Sequence, residues 1–225
     1  MSEAEAHVSF DALPRSLPLF PLVGVLLLPG GRLPLNIFEP RYLAMVRDAM
    51  SGSRMIGMIQ PANPKADMRA PELYRTGCAG KITSFSETED GRFLITLTGV
   101  CRFQIVEELA TATLYRQAVA SYARFRGDLE SSAVEPDGKV PRVRLLNALR
   151  AYLVLAKIPA DWQAVERAPD DALVNSLAVV CPFEPSEKQA LLEAATLQER
   201  ARVMVALIEM ALMQRGSGAE SAPLQ

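Results

Sequence analysis

Apolar and polar positions change period several times along this chain, and each change marks an element. Leu17 to Gly30, LPLFPLVGVLLLPG, is apolar almost throughout, with Pro18, Pro21 and Pro29 interrupting it. Spanning a bilayer as a helix takes about 20 apolar residues, and this run is shorter. Glu3, Glu5 and Asp11 precede it against a lone Arg15, and PGGRLP follows, so it has neither the basic region nor the small-residue cleavage site of an export signal. Proline holds the backbone extended and removes a ladder donor, so two short extended segments are predicted. LPLNIF continues as a strand. The period then shifts in FEPRYLAMVRDAM, where Tyr42, Met45, Val46 and Ala49 recur at helical spacing, with Glu39 placed to cap, Pro40 in the first turn and Gly52 past the end.

RMIGMIQP (54–61) reads as a strand and PANPKADMRAPE as a loop. TGCAGKITSFSET and GRFLITLTG are long extended runs joined through Glu89, Asp90 and Gly91, with Asp-Gly as the hairpin signal. CRFQIVEEL and LYRQAVASYARF, rich in β-branched and aromatic residues, extend the sheet, and closing such strands into a barrel would remove exposed edges. RGDLESSAVEPDGKVP (126–141) is polar and proline-punctuated. Beyond it the pattern is helical: 142–157, a short turn near Asp161 and Trp162, 170–180, and two helices opened by the capping spacings Ser186/Gln189 and Thr196/Glu199. Leu197, Ala201, Met204, Ile208 and Ala211 form a core-facing stripe on the last. The fold class predicted is α+β: an antiparallel β pseudo-barrel with one short helix, then a C-terminal helical bundle. The boundaries are 1–126 for the β-rich part with its core from about 14, 127–141 for a connecting loop, 142–215 for the bundle and 216–225 for a mobile tail.

Composition narrows the function. In 225 residues, 24 basic and 26 acidic side chains give a formal charge of −2, with no block of one sign. Phosphate binding needs concentrated basic surface, so nucleic acid and anionic membrane are not expected partners. Cys78, Cys101 and Cys181 are odd in number and far apart, which fits buried free thiols in a reducing cytoplasm.

The stretches LPLFPLVGVLLLPGGRLPLNIFEPRYLAMVRDAM, TGCAGKI, DGRFLITLTGVCRFQI and PSEKQALLEAATLQERARVMVALIEMAL together resemble the N-terminal, substrate-binding domain of the Lon protease family, over roughly Leu17 to Met213. The proline-spaced opening with FEPRYL is the specific part. The resemblance implies a pseudo-barrel followed by a helical bundle, and a recognition module. Lon proteases continue into an ATPase with a GxxxxGK[ST] phosphate loop and a serine/lysine protease; this sequence has no such phosphate-loop match, so a standalone member without those modules is expected.

The residues point the same way. His7 is the only histidine, which leaves serine and cysteine nucleophiles without a histidine base in the body of the chain. Three scattered cysteines lack the close pairs of a zinc site, and no metal or cofactor is expected. Ser186 and Lys188 stand two apart, a spacing that does not bring side chains together on a helix. Glu87, Glu89 and Asp90 fit a solvated hairpin tip; Glu39, Arg41 and Tyr42 fit a helix start. Met45, Met50, Met55 and Met58 fit core filling, while Met68 falls in the exposed loop. The expectation is a non-enzymatic, cytoplasmic module that binds unfolded or partner polypeptide. Its contacts are assigned to Phe38, Tyr42, Met68 and Trp162, in a concavity of the kind that gathers ligands where barrel and bundle meet. An adaptor docking a dedicated partner or protease is the alternative, and a small serine/lysine hydrolase the outsider. Oligomeric state is not legible.

Overall fold

The computed structural model describes residues 8–63, 71–129, 140–156 and 158–219. It divides into two compact units: residues 1–133 with 184–192, and residues 134–183 with 193–225.

The first unit is built on six strands: β1 (Ser16–Pro21), β2 (Arg32–Ile37), β3 (Met55–Ile59), β4 (Thr76–Glu87), β5 (Phe93–Leu109) and β6 (Gln117–Ser121), with helix α1 (Pro40–Met50) after β2. They run β2-β5-β4-β3-β1-β6, and β6 returns to pair with β5, closing a ring of five strands with β2 on its edge. Only β1 and β3 pair in parallel. Closure depends on the length of β5, whose first half pairs with β2 and β4 and whose last residues pair with β6. Leu17, Leu19, Ala79, Cys101, Phe103 and Ala118, each at most 1% exposed, fill one core cluster.

Several expected details differ. Of the two extended segments predicted in Leu17–Gly30, only the first is a strand. Leu26, Leu27 and Leu28 are buried in a loop that packs on β5 at Gly99, where Gly30 N–H donates to the Gly99 carbonyl and Gly99 N–H to that of Gly31. A Cβ on Gly99 would lie 2.0 Å from the Leu28 carbonyl oxygen, so only glycine permits this approach. β5 therefore continues through Gly99 instead of breaking there. The hairpin turn is a three-residue loop in which Gly91 alone has positive φ, closed by Thr88 N–H to Arg92 O and Gly91 N–H to Thr88 O. Glu39 stands at the cap of α1, but its carboxylate accepts from Arg41 Nε at 2.9 Å and caps no backbone amide.

Helix α5 (Pro185–Glu193) was expected in the bundle, yet residues 184–192 group with the first unit. Gln189 explains this. It is 3% exposed, donates to the Thr76 carbonyl at 3.0 Å and accepts from Gln60 Nε2 at 3.2 Å. The Ser186/Gln189 capping box is consequently absent: the helix starts earlier, and Glu187 accepts from Glu184 N–H at 2.8 Å. Lys188 Nζ donates to the Gly24 carbonyl at 2.9 Å.

The second unit comprises α2 (Arg142–Ala156), α3 (Trp162–Arg167), α4 (Asp170–Val180) and α6 (Leu197–Ala219). Asp161 caps α3 by accepting from Ala164 N–H. Leu145, Leu149, Val174, Ala201, Met204 and Ile208 are fully buried, so most of the predicted stripe on α6 does face a core. Thr196 accepts from Glu199 N–H at 3.1 Å, while Glu199 reaches back to Ala195 N–H, one residue beyond an ideal box. The ladder of α6 continues to Ala219, past the Gly216 at which the sequence places a tail. His7, Met68, Lys65, Lys139, Lys157 and residues 130–139 and 220–225 lie outside the described residues.

Candidate functional site

The first unit carries two neighbouring depressions, the larger beside a register shift in β5. Between Ile105 and Glu107 the pairing with β6 slips by one residue, leaving Val106 as a bulge that is 56% exposed. The chain entering β4 stays with β5 only as far as Arg75, whose carbonyl accepts from Ile105 N–H at 2.8 Å. Upstream it leaves β5 and keeps only its antiparallel pairing with the chain continuing from β3: Tyr74 N–H donates to Gln60 O, and Glu72 O accepts from Ala62 N–H. Two neighbouring strands thus diverge, and a cleft of about 280 Å³ opens, lined by residues 72–75 and 105–108.

Arg116, which lines the smaller depression, is joined to this cleft through Glu108. Its Nε and one terminal nitrogen hold both oxygens of Glu108, at 2.7 and 2.6 Å, and its other nitrogen donates to the Pro71 carbonyl at 2.6 Å. Such a fork fixes a guanidinium far better than a single contact would. The smaller depression, of about 50 Å³, is formed by Leu19 and Pro21 of β1, Arg41 and Tyr42 of α1, Pro71, and Leu114 to Arg116. Tyr42 is buried against Phe20, ring centroids 4.3 Å apart, with the Arg41 guanidinium 4.5 Å over its ring. Burial pushes its hydroxyl pKa up. Tyr115 donates to Asp48 at 2.6 Å, which ties the segment before β6 to α1; burial first, and then this bond, raise its pKa to about 12. Leu114, 70% exposed, stands at the rim.

Of the residues expected from sequence, Tyr42 lines the smaller depression. Phe38, 63% exposed at the end of β2, lines neither. Trp162 belongs to the second unit, with the Arg150 guanidinium 4.7 Å from its ring centre. Met68 lies outside the described residues. Arg116, Glu108, Val106 and Leu114 were not anticipated; the available signal was the broken alternation of Ile105-Val106-Glu107-Glu108, two apolar residues then two acids where a regular strand would alternate.

Four groups with reactive potential are otherwise engaged. Desolvation pushes the Cys78 thiol well up and that of Cys101 to about 12, the opposite of what a nucleophile needs. Lys188 is held by the Gly24 carbonyl. Asp90, at the hairpin tip, is held well below the usual carboxylate range by hydrogen bonds from Arg92 and Thr88. Among the described residues no three His, Cys, Asp or Glu side chains converge as metal ligands would, and no helix is long and apolar enough to cross a membrane.

The family of the ATP-dependent protease La (LON) substrate-binding domain matches residues 16–209. The chain belongs to that family. Among relatives, Lon protease 2 of Myxococcus xanthus is 25% identical over 89% of the chain, and the Lon protease of Roseiflexus castenholzii 26% identical over 88%. The chain spans about a quarter of their length, 24% in each case. Two solved structures share the fold. A Lon N-terminal domain protein from Xanthomonas campestris superposes with a TM-score of 0.58 at 22% identity, covering 85% of this chain and 97% of that one. The N-terminal domain of Mycobacterium avium complex Lon protease gives 0.60 at 16%, covering 86% and 98%. The LON-type fold and the α+β architecture expected from the sequence are thus both found.

Proposed function

We propose that this LON-family domain recognises protein substrates by holding an exposed, extended stretch of polypeptide across the two depressions that flank Arg116. The observation that carries the reading is the divergence of β4 and β5 at the Val106 bulge. It creates a cleft beside exposed apolar side chains, next to a second, smaller depression, on a domain whose family is defined by substrate binding. An extended chain advances by roughly 3.3 Å per residue with alternate side chains on one face, so neighbouring depressions suit alternate side chains. Val106 and Leu114 supply apolar contact, and Tyr42 lies in the wall of the smaller depression.

The domain acts by binding and not by chemistry. This is supported by raised cysteine pKa values and by the engagement of Lys188 with a backbone carbonyl. The test is a fluorescence anisotropy titration against a labelled, permanently unfolded polypeptide, with a folded protein as control. Saturable binding of the unfolded chain alone is expected; absence of binding at high micromolar concentration would contradict the reading.

A further inference from the structure

The charge lining the larger cleft is net negative. Its lining carries Glu72, Glu107 and Glu108 against the guanidinium of Arg75, whose terminal nitrogen donates to the Ile105 carbonyl at 3.4 Å. Glu108 is neutralised by Arg116. Glu72 and Glu107 take part in no ion pair among the described residues, and both are exposed. Beside these carboxylates the lining also carries the side chains of Leu73, Tyr74, Ile105 and Val106, of which Val106 is exposed. Acids beside an exposed aliphatic side chain are complementary to a long side chain with a methylene stem and a cationic end, which lays its stem on the aliphatic group and keeps its charge at the water boundary. A carboxylate entering the same cleft would meet a net negative lining, which disfavours it as the same lining favours a cation.

We infer that the larger cleft selects a lysine or arginine side chain of the bound polypeptide, through Glu72 and Glu107, and disfavours acidic segments. The inference rests on the polypeptide-binding reading above and adds a sequence preference to it.

The test uses three labelled unstructured peptides of one neutral host sequence, carrying lysine, glutamine or glutamate at the same positions, titrated against the full chain at low and high salt. The lysine peptide is expected to bind about tenfold more tightly than the glutamate peptide at low salt, from two exposed carboxylates each contributing a fraction of that factor. The difference should shrink at high salt, because exposed charges are screened. In Glu72→Gln with Glu107→Gln, and to a lesser degree in Glu107→Gln alone, the ratio of lysine-peptide to glutamate-peptide affinity should fall towards one. Equal, saturable binding of all three peptides overturns the charge preference and leaves the polypeptide reading intact. A lysine preference that survives Glu72→Gln with Glu107→Gln also overturns it. Failure of every peptide to bind overturns both.

Discussion

At the scale of single residues, Arg102 is a buried charge that joins several segments of the first unit. It is 4% exposed, holds both oxygens of Asp128 through Nε and a terminal nitrogen, donates to the Leu192 carbonyl at 3.0 Å, and lies 4.4 Å over the Phe125 ring. Removing one member of a buried pair strands the other charge in a medium that solvates it poorly, at a cost of about 3–5 kcal/mol. Asp128→Ala should therefore lower the unfolding free energy by about that amount in a urea titration; a loss under about 1 kcal/mol would mean that the pair is solvated. Tyr115 gives a pH-dependent effect. The folded protein keeps its phenolic proton to about 12 against an ordinary value of 10.0, so the unfolded chain loses protons first as pH rises. Its contribution is fully present below pH 10 and disappears towards pH 12. Cys101 adds to the same decline from its ordinary 9.0. Urea stability measured from pH 8 to 12 should fall less steeply in Tyr115→Phe than in the parent; identical slopes would remove Tyr115 from the account.

At the scale of elements, α5 belongs by its contacts to the β-rich unit although the chain reaches it from the helical one. It supplies the Gln189 side chain to Thr76 and Gln60, the Lys188 ammonium to Gly24, and the Leu192 carbonyl to Arg102. A fragment of residues 1–133 loses these hydrogen bonds together with the buried side chains of Leu191 and Leu192. It should show no cooperative melt alone and regain one on addition of a synthetic peptide of residues 182–194. A cooperative melt unaffected by the peptide would count against this role. The same element shows what a sequence conceals. Helices α1, α2 and α4 were legible because apolar periodicity and proline placement are local, and the bulk of the strands because β-branched and aromatic runs are local too. The partnership of Arg102 with Asp128 spans 26 residues and that of Gln189 with Thr76 spans 113, and nothing near either residue announces it. Leu26 to Leu28 read as a strand because an apolar run records burial, not hydrogen-bond pairing. The cleft stayed hidden for a related reason. It is made by a bulge and by a chain that leaves β5 while staying paired with β3, whereas Tyr42 was reached only because it sits on a helix whose periodicity marks it.

At the scale of the whole molecule, the exposed apolar side chains fall on both units: Val106, Leu114 and Phe38 on the first, Val143, Val154, Val180 and Met213 on the second. Apolar exposure alone therefore does not locate a binding surface, and the proposed one rests on the depressions beside Arg116. The most direct test compares, by anisotropy with a labelled unfolded polypeptide, the parent chain, Val106→Asp with Leu114→Asp, and Val154→Asp as a control of equal chemistry on the helical unit. The account predicts saturable binding by the parent and by the control, and a loss of about tenfold or more in Val106→Asp with Leu114→Asp, the loss of two anchoring apolar contacts. Parent-like binding by that double variant would contradict it.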